Sequence, residues 1–266
     1  KLPFIFREVS PQFYFGDVQR YAARNQSNDQ VIPSKQGGIA YWGNARRAHT
    51  YEIHVPKAQY FAEHPEYFSQ NTRGQRVAGM TAGQLCLSNP ELRKVVLENF
   101  RKYIEKADGE AKAKGEEPPL FYDFSMNDNF TACQCPECLK FVAEKGTQTD
   151  LTIDFLNFLA ADLATFRPGK FLTSLAYMYN EELPKTVKPA ENIYFFLCDG
   201  QSDQGNFDRF PSNQAWLKRV ADWGKLASGV LIWDYSVLYN DVSDLPLPSE
   251  YTYPDLMRYY ADHGVK

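Results

Sequence analysis

The sequence has no long apolar segment and no block of charge of one sign. A transmembrane helix needs about 20 consecutive apolar residues, and no segment of the 266 residues approaches that length. The 29 basic and 33 acidic residues leave a formal net charge of −4, whereas a domain that binds nucleic acid usually carries a basic surface. The composition therefore predicts a chain that neither spans a membrane nor binds nucleic acid.

Several motifs that define large enzyme classes are also missing. The sequence contains no Gly-rich phosphate loop of the Walker or dinucleotide type, no Gly-x-Ser-x-Gly and no His-Glu-x-x-His. These motifs position phosphates, a serine nucleophile and a catalytic zinc, respectively. We therefore expect no cofactor for catalysis.

Aromatic residues, in contrast, are abundant. The 19 Phe, 17 Tyr and 4 Trp make up 15% of the sequence. Sugar-binding clefts stack pyranose rings on aromatic faces, which would account for the excess, but aromatic side chains also dominate protein cores. The stretch 25–82 combines many aromatic residues with little regular pattern, and long irregular loops in compact domains are usually functional or disordered.

Short apolar segments alternate with helical patterns along the chain. Strands are predicted at 3–8, 83–87, 120–125, 171–178, 192–198 and 230–233. Helices are predicted at 90–114, 151–166, 213–226 and 254–263, with Asp150 as the cap of the second. Continuously apolar strands that alternate with helices are typical of a parallel sheet built from β-α units. We therefore predict an α/β fold, a (β/α)8 TIM-like barrel, as a single catalytic domain over 1–266. Because residues 264–266 resemble a loop that enters a further strand, we expect a fragment of a longer protein that lacks the last strand.

Polar and aromatic residues gather where the predicted strands end. In a barrel, catalytic residues come from the carboxyl ends of the strands, and glycoside hydrolysis typically needs two carboxyl groups that flank the scissile bond. Asp and Asn are also common turn formers and helix caps, so the prediction depends on the whole set. Its members are Arg7, Glu8, Asn127, Asp128, Tyr177, Tyr179, Glu181, Asp199, Trp233, Asp234 and Tyr235.

The adjacent pair Asn127 and Asp128 fits one particular hydrolytic route. In this route the 2-acetamido group of the substrate is itself the nucleophile. Asn127 would orient that group, and Asp128 would protonate the leaving oxygen as the general acid. Either Asp234 or Glu181 would supply the second carboxylate.

A dense cysteine run, Cys133-x-Cys135-x-x-Cys138, follows this pair. Three thiolates at this spacing are typical of a structural zinc site, with a fourth ligand from Cys86, Cys198 or a histidine. A disulfide with one free thiol, or three reduced buried thiols, is the alternative. The total of five Cys is odd, so they cannot all pair within the chain.

Five segments together resemble a bacterial family of glycoside hydrolases that was long catalogued as a domain of unknown function and is common in glycan-degrading gut bacteria. They are 64–68 (HPEYF), 84–91 (QLCLSNPE), 125–129 (SMNDN) with the cysteine run, 176–177 (AY) and 233–235 (WDY). The resemblance covers essentially the whole chain. It implies a barrel and an endo-β-N-acetylglucosaminidase that cuts complex N-glycans between the two core N-acetylglucosamines with acetamido assistance. It also implies export to the periplasm or the cell surface.

We therefore predict an endo-acting glycosidase whose partner is an oligosaccharide or glycoprotein glycan. The sugar platform would comprise Trp42, Tyr177, Tyr179, Trp233 and Tyr235, and the polar contacts would comprise Arg7, Glu8, His49 and Asp199. One alternative is an exo-acting α-glucuronidase-like enzyme, in which Arg7, Arg46 and Arg47 bind a uronate carboxylate. The other is a non-catalytic barrel that binds glycans.

Overall fold

The computed structural model describes residues 47–199, 211–234 and 252–266, together with Phe4, Ile5 and Arg7. The strand predicted at 3–8 therefore falls largely outside the described residues. In the described part of the chain, no helix is both long enough and apolar enough to cross a membrane.

Four parallel strands form one sheet in sequence order. They are β1 (Phe121–Asp123), β2 (Phe171–Ala176), β3 (Ile193–Cys198) and β4 (Gly229–Trp233). Beyond β4, Val265 forms a single parallel bridge with Val230, and the Lys266 backbone N–H donates to the Val230 carbonyl at 2.8 Å. The prediction of an α/β fold with parallel strands is confirmed, and the four described strands do not close on each other.

Seven α-helices accompany the sheet in the described residues. They are α1 (Tyr51–His54), α2 (Lys57–Tyr60), α3 (Pro90–Ala113), α4 (Pro136–Lys145), α5 (Gln148–Phe166), α6 (Pro211–Leu226) and α7 (Tyr253–Asp262), and 3-10 turns occur at Pro65–Tyr67 and Met178–Asn180. Helices α4 and α5 connect β1 to β2, and α6 connects β3 to β4. The connection from β2 to β3, fully described over 177–192, holds only the second 3-10 turn, so the alternation of strand and helix is interrupted once.

Helix α3 begins where the capping pattern predicts. The Asn89 side chain accepts hydrogen bonds from the backbone N–H groups of Glu91 at 2.9 Å and Leu92 at 3.1 Å, and Pro90 occupies the first helical position. The buried residues recur every three or four positions, at Leu92, Val96, Phe100, Ile104, Ala107 and Ala111. One face of α3 therefore packs on the core, as its periodicity predicts.

One predicted strand, one strand boundary and one helix differ between the sequence prediction and the structure. Residues 83–87 form no strand, and only Leu85 makes an isolated antiparallel bridge, to Phe68. Strand β2 stops at Ala176 because Met178 turns the chain with a φ of 53°. Helix α4 is not among the predicted helices because cysteines dominate the sequence at its start; Pro136 nevertheless occupies its first turn.

Helix α5 is capped by Thr147 rather than by Asp150. The Thr147 hydroxyl accepts from the Asp150 backbone N–H at 3.1 Å and donates to the Asp150 carboxylate at 2.7 Å. Asp150 is thus the acidic third residue of a capping box, and its residue type misled the sequence prediction. The same carboxylate accepts the backbone N–H groups of Lys185, Thr186 and Val187 at 2.7–2.9 Å, which fixes the chain that leads into β3.

We expect Asp150→Asn to lower the free energy of unfolding at pH 7 by about 2 kcal/mol. Burial alone would raise the pKa of this fully buried carboxyl, but the hydrogen bonds from Lys185, Thr147, Val187 and Thr186 lower its pKa to about 2. A carboxyl whose folded pKa is depressed stabilises the fold above its unfolded pKa and loses that effect as the pH falls. Urea denaturation should therefore show the wild-type advantage shrinking from about pH 4 towards pH 2.

The matched control is Glu144→Gln, which removes one acid from an exposed position of α4. It should leave the unfolding free energy within about 0.5 kcal/mol of wild type. Equal stability of the two variants would contradict the structural role of Asp150.

Candidate functional site

The carboxyl ends of the four parallel strands lie at one edge of the sheet, and several predicted site residues meet there. Three of them affect the pKa of the Cys198 thiol at the end of β3. Burial is the main cause of its raised pKa of about 12, and the negative charges of Glu181, Asp128 and Asp199 contribute to the same rise. Carboxylates from three different connections therefore act electrostatically on one thiol.

Asp128 is the exposed acid of this group, with its side chain 48% accessible to solvent. Its Oδ1 lies 3.9 Å from Nε2 of His49. Burial, followed by the charge of Asp128, raises the pKa of Tyr177 to about 12. Tyr177 therefore keeps its proton throughout the physiological pH range.

His49 is held in one orientation by the backbone. Its Nδ1 lies 2.8 Å from the Met126 carbonyl, which can only accept, so Nδ1 carries the proton. In the neutral ring, Nε2 is then the acceptor that faces Asp128. The ring centroids of His49 and Tyr177 lie 6.2 Å apart, so both rings flank the same carboxylate.

Two non-glycine residues in this part of the structure have a positive φ, one beside Asp128 and the other next to Tyr177 in the chain. His49 has a φ of 54° and Met178 a φ of 53°, which side chains other than glycine rarely adopt. The contacts around them maintain this conformation: the Thr50 and Tyr51 N–H groups both donate to the Ser125 carbonyl at 3.0 and 3.1 Å. Such strain clusters at functional sites when the surroundings enforce it.

Asn127 is buried beneath this edge and anchors the loop. Its Nδ2 donates to the Gly83 carbonyl at 2.8 Å, and its backbone N–H donates to Oε1 of Gln84 at 2.9 Å. Its Oδ1 is buried and accepts no hydrogen bond among the described residues. Direct contact with a substrate acetamido group therefore stays a prediction that requires exposure of Oδ1.

Glu181 is held in place by α6. Its Oε2 lies 3.1 Å from Nη2 of Arg219, and its carbonyl accepts from the Trp223 indole N–H at 3.3 Å. Arg219 and Trp223 are one helical turn apart on α6, a spacing that sequence analysis could have used but did not. The charges of Glu181 and Asp128 both contribute to the raised pKa of Tyr177.

Asp199 and Asp234 occupy the other half of the edge. The Asp199 backbone N–H donates to the Trp233 carbonyl at 3.0 Å. Burial raises the pKa of Tyr260, and the charges of Asp234 and Asp199 add to this effect. The Tyr260 hydroxyl accepts from the Trp216 indole at 2.9 Å, so residues of α6 and α7 support this half of the site.

The predicted aromatic platform is only partly assembled at this edge. Trp233 lies under the Arg47 guanidinium at 5.4 Å and contacts Phe196 edge-on. Tyr179 lies instead near Tyr51, Cys133 and Cys138, which contribute to its raised pKa after burial. The Arg7 guanidinium donates to the Phe4 carbonyl at 2.7 Å. The predicted residues Glu8, Trp42, Arg46 and Tyr235 lie outside the described residues.

A buried carboxylate that sequence analysis missed lies at the end of β1. The Asp123 side chain accepts hydrogen bonds from the hydroxyls of Thr50 and Thr173, both at 2.9 Å, and from Ser125. The Asp123 carbonyl is 2.9 Å from Nε2 of His54. These bonds attach the segment that carries His49 to the sheet. A charged residue inside an otherwise apolar strand was the available signal.

Four cysteines form a second cluster, next to the Asp128 loop. The Sγ atoms of Cys86, Cys133, Cys135 and Cys138 all lie within 4.8 Å of one another, and none is in a disulfide. All four are buried. Of the fourth ligands that the sequence left open, the structure places Cys86 with the run, whereas Cys198 lies among the carboxylates.

Sequence comparison adds the family relationship. No curated protein is significantly similar to the chain. The profile of one family, described as a domain of unknown function (DUF4838), matches residues 1–266. The match covers every residue of the chain, so the chain belongs to the DUF4838 family.

Proposed function

We propose that this protein is a glycoside hydrolase, an endo-β-N-acetylglucosaminidase that cleaves the chitobiose core of complex N-glycans. The observation that carries the proposal is the exposed Asp128 carboxylate at the carboxyl edge of the sheet, 3.9 Å from Nε2 of His49, with the charges of Glu181 and Asp199 acting on the same thiol, Cys198, as its own. Paired carboxyl groups at the carboxyl ends of parallel strands are what glycosidic cleavage in a barrel requires. The proposal also includes a TIM-like barrel of which the four-stranded sheet is one part. It further includes export to the periplasm or the cell surface.

Asp128 is the general acid and base in this proposal. Protonated Asp128 gives its proton to the leaving glycosidic oxygen as the bond to the anomeric carbon breaks, while the substrate acetamido oxygen bonds to that carbon. The Asp128 carboxylate then takes a proton from the water that opens the cyclic intermediate. Its exposure to solvent gives a substrate access to it, and Nε2 of His49 lies 3.9 Å from its Oδ1.

Glu181 is the better supported second carboxylate. Its charge raises the pKa of both Tyr177 and Cys198, as the charge of Asp128 does. The charge of Asp234 instead raises the pKa of Tyr260, together with that of Asp199. The ion pair with Arg219 keeps a negative charge at a fixed place. This charge would stabilise the positive charge that develops on the sugar ring and the acetamido nitrogen.

The exo-acting alternative is supported by one specific contact. Arg47 lies over the ring of Trp233, at the same edge as the carboxylates, and a guanidinium binds a carboxylate through two hydrogen bonds. A terminal uronate would use this arrangement. Hydrolysis of a synthetic aryl glucuronide, combined with no release of glycan from glycoproteins, would favour it.

Mass spectrometry of a complex-type N-glycoprotein after incubation with the protein tests the proposal. We expect a released glycan that ends in one N-acetylglucosamine, with the other left on the asparagine. A folded protein that leaves the glycoprotein unchanged would contradict the endo-acting proposal. Retention of the glycan on the protein without turnover would favour a non-catalytic binding role.

A further inference from the structure

We propose that Cys86, Cys133, Cys135 and Cys138 bind one structural Zn²⁺ through four thiolates. A tetrahedral zinc with Zn–S bonds of about 2.3 Å holds its sulfurs about 3.8 Å apart. The Sγ of Cys86 lies 3.5 Å from that of Cys135 and 3.9 Å from that of Cys138. The geometry therefore fits a common central ion.

The same distances disfavour disulfides. A disulfide brings two sulfurs to about 2.05 Å and would sort the four cysteines into bonded pairs. Here all four sulfurs approach one another within 4.8 Å. Cys86 comes from a segment 47 residues before Cys133, so the tertiary structure, and not local spacing alone, completes the ligand set.

Polar groups around the sulfurs complement a negatively charged thiolate site. The Gln70 backbone N–H donates to Sγ of Cys133 at 3.3 Å, and the Ser88 hydroxyl lies 3.0 Å from Sγ of Cys138. The Arg76 guanidinium lies 4.0 Å from Sγ of Cys133. Four thiolates and one Zn²⁺ carry a net charge of −2, and donors of this kind stabilise that charge.

The site is closed and structural. Four protein ligands fill a tetrahedral zinc and leave no position for water or substrate, and all four cysteines are buried. On binding, Zn²⁺ replaces the four thiol protons, which go to solvent. The ion therefore stabilises the fold and takes no part in bond cleavage.

The zinc connects the segment that holds the Asp128 loop to the cysteine run that follows this loop in the chain. From the Cys86 side, the Gln84 amide donates to the carbonyls of Asn127 at 3.0 Å and Asn129 at 3.1 Å. From the Cys133 side, the Gln134 backbone N–H donates to the Gln70 carbonyl at 2.8 Å. Zinc thus positions the loop, whether or not the proposed glycosidase activity is correct.

Elemental analysis of the purified protein tests the site. We expect about one zinc per wild-type chain and five free thiols when the protein is denatured without reductant. Cys86→Ser and Cys138→Ser should lower the zinc content by about tenfold or more. Cys198→Ser, which removes the remaining cysteine, should keep its zinc.

Cobalt substitution keeps the test decisive if the serine variants do not fold. Wild-type protein refolded with Co²⁺ should show the visible absorption of tetrahedral cobalt–thiolate coordination, and added Zn²⁺ should abolish it. Wild-type protein that contains iron or no metal, disulfides among these four cysteines, or equal zinc loss in Cys198→Ser would overturn the proposal. None of these readouts depends on glycosidase activity.

Discussion

Asp128→Asn is expected to lower kcat/KM for release of glycan from a glycoprotein by about 10²–10⁴-fold, the usual contribution of a general acid. The amide keeps the shape of the side chain, but it has no acidic proton to give to the leaving oxygen. Because Asp128 is exposed, the variant should unfold at the same denaturant concentration as wild type. The rate loss is then chemical rather than structural.

An activated aryl glycoside separates the acid role from other roles. A phenolate with a low pKa leaves without protonation, so Asp128→Asn should lose far less activity on this substrate than on a glycoprotein. Glu137→Gln is the matched control, because it removes an exposed acid from the first turn of α4, close in sequence. Full activity of a folded Asp128→Asn variant would end the assignment of Asp128 as the acid.

The wild-type protein is expected to lose about 3 kcal/mol of unfolding free energy between pH 6.5 and pH 4 because of His54. Burial lowers the pKa of His54 from 6.5 to about 4, and the hydrogen bond to the Asp123 carbonyl offsets only part of that effect. The bond to a carbonyl requires a proton on Nε2, and the buried Nδ1 has no hydrogen-bond partner among the described residues. The ring is therefore held neutral among Phe100, Tyr103 and Phe124.

The sign of this effect follows from proton binding. Between pH 6.5 and pH 4 the unfolded chain protonates this imidazole and the folded chain does not, so stability falls as the pH falls. The stabilisation is complete above pH 6.5 and fully lost below the folded pKa of about 4.

Urea denaturation at a series of pH values should show this slope for wild type and a flatter profile for His54→Gln, whose amide can still donate to the Asp123 carbonyl. His64→Gln, which removes an exposed imidazole, should keep the wild-type slope. If His54→Gln retained the full slope, another group would have to be responsible.

The largest secondary-structure elements follow from local chemistry in the sequence. Helix α3 needs only its Asn89-Pro90 start and a stripe of apolar residues, which are local features that a sequence displays. Strands β3 and β4 are continuous apolar runs whose ends are clear for the same reason. The predicted strand-end carboxylates Asp128, Glu181 and Asp199 likewise depend on position along the chain, and each lies in a connection that follows the carboxyl end of a parallel strand.

Local chemistry misled where two residues competed for one role. Thr147 and Asp150 are both suitable caps, and only the contacts of Asp150 with the 185–187 segment decide which residue starts α5. Tyr177 and Tyr179 are two positions apart, yet one lies beside Asp128 and the other near the cysteines. The strained turn at Met178 separates them, and no propensity predicts a positive φ at a methionine.

The sequence by itself determined the α/β class, the direction of the sheet, most helix and strand boundaries and the set of candidate residues, because these depend on short-range patterns. Only the tertiary structure decided that Cys86 completes the cysteine cluster, that Asn127 is an anchor for the loop, and that Arg219 fixes Glu181. Each of these facts is a contact between residues separated by 38 or more positions. Such contacts depend on how helices and loops pack against the sheet, which periodicity and spacing do not encode.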